Sequence, residues 1–268
     1  MAPSIQFASG LYKAIRTGVK YNNLLVPNAP YLALCGDVAT TECEKSLDFL
    51  MWCSQNYEQV IWIPGWYEMG GYKGKNRLII EQLDQMYRFV RSHDLLNIVI
   101  GNKTELCTKD MLILATPLFF LTPSPCWNTT IYDYSQRVMT YRPNKNLGID
   151  QVPIHFQDLD PIYRSEYDWI LKKAYYHKLH KNNMPIVVIS GSMTHLLGCE
   201  PQMNFPGIYN IIQDSPICLN LHGADFRNDD GGNTSGYAED NVWYGVNDYR
   251  YINYDPRKSV SAQKREMR

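Results

Sequence analysis

The chain has 268 residues, of which 45% are hydrophobic, so it is long enough to bury a large core and is not dominated by disorder. Its 26 basic and 27 acidic residues give a formal net charge of -1, which excludes an overall field that would concentrate nucleic acid, anionic lipid or an acidic substrate. The start of the chain lacks a basic and apolar leader, no apolar run approaches a bilayer span, and the 7 cysteines form no C-x-x-C pair, so we expect a soluble, intracellular (cytoplasmic) protein without membrane contacts or structural disulfides.

Seven short apolar runs, each bounded by Gly, Pro, Asn or Asp, predict β-strands. They cover residues 5–9, 31–35, 60–63, 98–100, 111–115, 186–190 and 217–221. Apolar residues at helical spacing predict helices over residues 44–56, 77–93 and 160–181. In the last of these, Asp160 is the predicted N-cap and Pro161 the first helical position. The alternation of strands and helices predicts a layered α/β domain.

The second half of the chain is less regular. Residues 124–153 are polar and contain Pro and Asn, which predicts a loop, whereas residues 242–254 predict strands. Residues 257–268 carry five basic residues against one acid and no apolar run, which predicts a mobile tail. In the absence of a repeat or a linker, the sequence predicts one domain over residues 1–257, followed by a basic tail at 258–268.

The residues that follow the predicted strands form a recognisable pattern. Gly36 and Asp37 follow the second strand, and Gly65-Trp66-Tyr67-Glu68 follows the third. Together with residues 113–118, 167–171, 186–191, 221–226 and 246–256, they resemble the ordered sequence blocks of calcineurin-like metallophosphoesterases, including their G-D and G-N-H-[DE] blocks. The resemblance spans about residues 4–257. It implies a four-layer α/β/β/α sandwich with mixed sheets and a site at the carboxyl ends of the strands.

Enzymes of this family hydrolyse phosphate esters with two divalent metal ions, which carboxylate, amide and imidazole groups hold between them. In this chain most of those groups are replaced. Asp37 keeps the bridging carboxylate, and Glu68 keeps a carboxylate that in the family supports a catalytic histidine. The positions that resemble the family's other ligand and acid residues carry different side chains: Gly10, Tyr12, Trp66, Tyr67, Gly191 (or Ser190), Ala224 and Phe226.

The resemblance therefore implies a degenerate, catalytically inactive member of the family. One carboxylate cannot offset the desolvation of even one Mg²⁺ or Mn²⁺ ion. We expect a pseudoenzyme without a metal cofactor that serves as a protein-binding or structural module. One alternative is a phosphoesterase with a Mn or Mg site rebuilt from Asp37, His195 and His222, since imidazole is a common metal ligand. A further alternative is a cleft that binds a phosphorylated ligand without turnover.

Aromatic residues occupy several of the replaced positions. Tyr12, Trp66, Tyr67 and Phe226 map to strand ends that face one cleft in the family, and we expect their rings to plug it. Exposed rings would instead form a patch for a protein partner. The basic and aromatic run at residues 175–181 is typical of a solvated helix end rather than a nucleic-acid site.

Overall fold

The computed structural model describes residues 5–70, 77–109, 111–118, 138–143, 149–154, 156–180, 184–191, 217–222, 235–239, 242–246 and 252–254. Within these ranges the strands are β1 (Ile5–Ala8), β2 (Tyr31–Cys35), β3 (Gln59–Ile63), β4 (Arg77–Leu78), β5 (Ile98–Ile100), β6 (Thr104–Cys107), β7 (Leu112–Thr116), β8 (Val138–Pro143), β9 (Ile149–Pro153), β10 (Ile186–Ser190), β11 (Ile217–His222), β12 (Ser235–Glu239), β13 (Val242–Val246) and β14 (Ile252–Tyr254). The helices are α1 (Tyr12–Thr17), α2 (Tyr21–Leu24), α3 (Glu44–Asn56), α4 (Trp66–Gly70), α5 (Ile79–Ser92) and α6 (Phe156–His180).

Among the described residues, the strands form three sheets. The first has the order β14-β1-β2-β3-β5, in which β1, β2, β3 and β5 are parallel and β14 is antiparallel to β1. The second has the order β12-β13-β11-β10-β7-β6, with antiparallel strands only at its two edges. A small third sheet has the order β4-β8-β9. The prediction of a mixed α/β fold is confirmed.

Alternation along the strands sends successive side chains to opposite faces of each sheet. In the first sheet, Phe7 and Ile61 belong to a buried cluster that also contains Ile113 and Ile189 of the second sheet, so these two sheets pack face to face. The other side of the first sheet packs on α1, α3 and α5, for example where Trp62 shares a cluster with Phe49 and Met86. The other side of the second sheet packs on α6, through Leu114, Val188 and Ile170.

The structure corrects two predictions in the middle of the chain. Residues 124–153 were predicted as a loop, but β8 and β9 form an antiparallel hairpin within them. The sequence gives a weak strand signal there because β9 is almost entirely exposed and lacks apolar alternation. Helix α6 begins at Phe156 rather than at Asp160, so Pro161 lies inside the helix, where it offers no N–H to the carbonyl of residue 157.

Candidate functional site

The chain turns sharply where β2 ends, and this turn sets the geometry of the site. Gly36 and Asp37 both have left-handed backbone conformations, with φ angles of 76° and 56°. A Cβ atom on Gly36 would lie 2.8 Å from the carbonyl oxygen of Gly191 and 3.0 Å from the Cα atom of Gly65, so only glycine fits there. The turn directs the backbone N–H groups of Asp37, Val38 and Ala39 toward α4.

The Glu68 carboxylate receives those N–H groups. Its Oε2 atom accepts hydrogen bonds from the N–H groups of Asp37 and Gly65, both at 2.8 Å. Its Oε1 atom accepts from Val38 at 2.7 Å and from Ala39 at 3.1 Å. Glu68 is buried, and four backbone donors satisfy its carboxylate. This side chain therefore ties the segment that follows β2 to the segment that follows β3.

The bond from Gly65 also identifies Glu68 as part of a helix cap. Gly65 precedes the first residue of α4, and Glu68 is the third residue of that helix, so its side chain reaches back to the N–H group of the capping residue. This is the acidic half of a capping box. A glutamate three residues after a possible capping residue is the sequence signal that could have predicted this role, whereas the family resemblance implied that Glu68 supports a histidine.

Asp37 faces the same helix start. Its Oδ1 atom accepts a hydrogen bond from the N–H group of Tyr67 at 2.6 Å. Desolvation, together with repulsion from Glu68, raises the pKa of the Asp37 carboxyl from 3.8 to about 8, although the hydrogen bond from Tyr67 opposes this shift. Asp37 retains some exposed surface. Near neutral pH the proton on this carboxyl is therefore held more tightly than on an ordinary aspartate.

The loops of the first and second sheets meet at Gly191, which follows β10. A Cβ atom there would lie 2.3 Å from the carbonyl oxygen of Pro64, and the Gly191 N–H group donates to the carbonyl of Pro117 at 3.2 Å. Gly65 is equally confined, since a Cβ atom there would lie 2.6 Å from the Asp37 nitrogen. The backbone at Gly191 thus leaves no room for the histidine side chain that the family resemblance would place there.

The aromatic residues at the strand ends are buried. Trp66 is only 3% exposed and belongs to the large apolar cluster between the first sheet and its helices. The rings of Tyr12 and Tyr67 lie against each other, with centroids 3.4 Å apart and planes tilted by 36°. The N–H group of Tyr12 donates to the carbonyl of Asp37 at 3.1 Å, and that of Gly10 donates to the carbonyl of Gly36 at 3.2 Å.

The structure thus brings most of the predicted positions together at one edge of the first sheet. These positions are Gly10, Tyr12, Asp37, Trp66, Tyr67, Glu68 and Gly191. His222 is the last residue of β11, in register with Ser190 on the neighbouring strand. His195, Ala224 and Phe226 lie outside the described residues, so the prediction that Phe226 shares this region is not tested.

In the parts of the chain that the structure describes, no group of three or more His, Cys, Asp or Glu residues is placed to hold a metal ion. None of the helices in those ranges is long and apolar enough to cross a membrane.

Together, the sheets and the helices packed on them define a mixed α/β fold. Among solved structures, the chain is similar to phosphopantetheinyl hydrolase (PptH) from Mycobacterium tuberculosis, with a TM-score of 0.52 and 13% sequence identity over 91% of this chain and 88% of that chain. At this identity the likeness shows the fold alone. No family model matches the chain. No curated protein matches it either.

Proposed function

We propose that this chain is a catalytically inactive protein of the calcineurin-like metallophosphoesterase fold that acts as a protein-binding or structural module. The inferred architecture is the four-layer α/β/β/α sandwich of that family. Support comes from the face-to-face packing of the first and second sheets, with helices on the outer side of each. The similarity to a hydrolase over 91% of the chain is consistent with this architecture.

One observation carries the proposal: the carboxylates that remain at the strand ends are used to hold the backbone. All four donors around Glu68 are main-chain N–H groups, and the Asp37 Oδ1 atom accepts the N–H group of Tyr67. The four donors stabilise the Glu68 carboxylate where it is, and moving it to a metal ion would leave those N–H groups unsatisfied at about 1–3 kcal/mol each.

The replaced positions favour the same conclusion. Tyr12 and Tyr67 stand where the family resemblance implies histidines, and their rings occupy the space between those positions. Gly191 stands at a third such position, where the carbonyl of Pro64 excludes any side chain. A two-metal site needs several ligands that converge from different strand ends. The contact between the Tyr12 and Tyr67 rings and the crowded backbone at Gly191 support our inference that the former cleft is plugged and holds no metal cofactor.

The test is hydrolysis of aryl phosphate monoesters and diesters with added Mn²⁺ or Mg²⁺. We expect no rate above a protein-free blank, and no gain of activity in Tyr12→His, because the ligands of one metal cluster act as a unit. The matched control is Asp37→Asn. Turnover by the unaltered protein that disappears in Asp37→Asn would contradict the proposal, whereas turnover that is unchanged in this variant would come from a contaminating phosphatase.

The alternative site at Asp37, His195 and His222 makes an opposite prediction for the same assay. It requires activity that depends on Mn²⁺ or Mg²⁺ and that is lost in His195→Ala and in His222→Ala. A cytoplasmic location and the single domain over residues 1–257 with a basic tail at 258–268 stay predictions.

A further inference from the structure

Helix α6 has one face that is fixed against the second sheet. Ala174 is fully buried in the cluster beneath the helix, and His177 is buried nearby. The His177 Nε2 atom lies 2.7 Å from Oε1 of Glu105 on β6, and the Lys173 Nζ atom lies 2.6 Å from Oε2 of the same carboxylate. These contacts fix the rotation of the last turns of α6 about the helix axis. The opposite face of the helix therefore points to solvent.

That opposite face carries a second apolar stripe. Tyr175, Tyr176 and Leu179 follow Lys172 at the i+3, i+4 and i+7 positions, and they are 43%, 53% and 79% exposed. This spacing aligns side chains along one side of a helix. A surface helix needs a single apolar stripe to pack on its own domain, and α6 already has one. We call Lys172, Tyr175, Tyr176 and Leu179 the outer stripe.

Basic groups accompany the outer stripe. Lys172 is part of it, and Lys178 and His180 lie beside it in the last turn. The His180 ring stacks on that of Tyr176 with centroids 4.4 Å apart, and its Nδ1 atom lies 2.9 Å from the Tyr176 carbonyl oxygen. One acid, Asp168, lies a turn before Lys172. The last two turns therefore combine apolar side chains with positive charge.

We propose that the outer stripe binds an acidic amphipathic helix from a partner protein. This inference rests on the protein-binding role proposed above and names the kind of partner. Tyrosines are frequent anchors in protein interfaces, and an apolar face flanked by lysines complements a helix with leucines on one side and carboxylates at their margins. A nucleic-acid strand is disfavoured, because its affinity comes from neutralising many phosphates, and a residue as apolar and exposed as Leu179 adds nothing to that.

The experiment uses the full chain and a fluorescein-labelled helical peptide of Glu, Ala and Leu, with leucines at the i, i+3, i+4 and i+7 positions. A peptide with the same leucines but Lys in place of Glu is the charge control. By fluorescence anisotropy, we expect the acidic peptide to bind at least about tenfold more tightly than the basic one, and less tightly as salt is raised.

Variants locate the binding surface. Leu179→Ser should weaken binding of the acidic peptide at least about tenfold, and Lys172→Glu should abolish the preference for it. The matched control is Leu96→Ser, since Leu96 is 87% exposed in the turn after α5 and lies outside the stripe. It should leave binding unchanged. Thermal unfolding of each variant should match that of the unaltered protein, because the changed side chains are exposed.

Four results would overturn the inference: equal affinity for the two peptides, a Leu179→Ser variant that binds as well as the unaltered protein, tighter binding of a single-stranded RNA, or self-association that Leu179→Ser abolishes. The last two would assign the stripe to nucleic acid or to a second copy of the chain. None of them bears on hydrolysis, so a failure here is distinguishable from a failure of the proposed loss of catalysis.

Discussion

Tyrosines have opposite surroundings at the strand ends and on α6. Tyr12 and Tyr67 are buried and touch each other beside Asp37, whereas Tyr175 and Tyr176 are about half exposed on the outer stripe. The chain has 20 tyrosines, so composition alone cannot separate these two uses. The structure around each pair of tyrosines distinguishes the buried pair from the exposed pair. At the strand ends, the rings lie where the loops after β2, β3 and β10 approach one another closely. On α6, the face opposite the tyrosines is the one that is anchored.

Because of this difference, substitutions in the two regions should change the free energy of unfolding by different amounts. Changes at the strand ends should lower stability, because Trp66, Tyr12 and Tyr67 are buried and Glu68 is hydrogen-bonded to the backbone. Changes on the outer stripe should leave stability unaltered and affect binding alone.

Removal of the Glu68 carboxylate should have the largest effect. Glu68→Ala would leave four buried N–H groups without their acceptor, so we expect the free energy of unfolding to fall by roughly 5 kcal/mol in chemical denaturation. The matched control is Glu81→Ala, because the exposed Glu81 side chain accepts a single N–H group, from Leu78 at 3.2 Å. That change should cost about 1 kcal/mol. If the two changes lowered the free energy of unfolding equally, the four hydrogen bonds to Glu68 would not stabilise the fold as we propose.

Truncation of Trp66 should come next. Since its ring is packed in the core, Trp66→Ala should lower the free energy of unfolding by about 3–5 kcal/mol. Tyr176→Ala is the comparison from the other region, and it should change stability by less than about 0.5 kcal/mol. If Trp66→Ala altered neither stability nor partner binding, Trp66 would not be part of the region that we infer to be plugged. The alignment of this part of the chain with the family's third block would then be wrong.

The pH dependence of stability should show a smaller effect from Asp37. The unfolded carboxyl loses its proton near pH 4, but the folded one keeps it until about pH 8. The folded state therefore binds more protons between these values, and its stability falls as pH rises through that window. Asp37→Asn cannot titrate and suits the left-handed backbone there.

The stability of the unaltered protein minus that of Asp37→Asn should therefore be greatest near pH 4. It should shrink by on the order of 2 kcal/mol by pH 8, a reduced figure because Asp37 retains exposed surface. Denaturant titrations at a series of pH values measure this difference. A difference that stays constant, or that grows with pH, would mean that Asp37 is ionised in the folded protein well below pH 8.

The elements that carry the core were predictable from the sequence. The strands through Leu34, Ile61 and Val188 have apolar runs bounded by turn residues, and the helix at Glu44–Asn56 has the predicted bounds. The hairpin of β8 and β9 was missed because β9 is almost entirely exposed and lacks apolar alternation. The start of α6 was misplaced because a proline usually marks a first turn, whereas Pro161 lies within this helix.

At the site, the sequence indicated which residues gather but not how they interact. Asp37, Trp66, Tyr67 and Glu68 follow strands β2 and β3, and neighbouring parallel strands bring their carboxyl ends together. The confinement of Gly191 by the Pro64 carbonyl depends on how two sheets approach each other, which no local pattern records. The four hydrogen bonds to Glu68 likewise require the left-handed turn at Gly36 and Asp37. The amino-acid sequence alone does not determine the backbone angles of that turn.

Metal content is the most direct test of the central claim that the two-metal centre has been replaced by rings and backbone. The purified chain would be loaded with Mn²⁺, exchanged into metal-free buffer and measured by mass spectrometry for Mn, Fe, Zn and Mg, with Asp37→Ala beside it. We expect much less than one metal ion per chain, with no difference between the two proteins. One tightly held ion per chain that is lost in Asp37→Ala would contradict it.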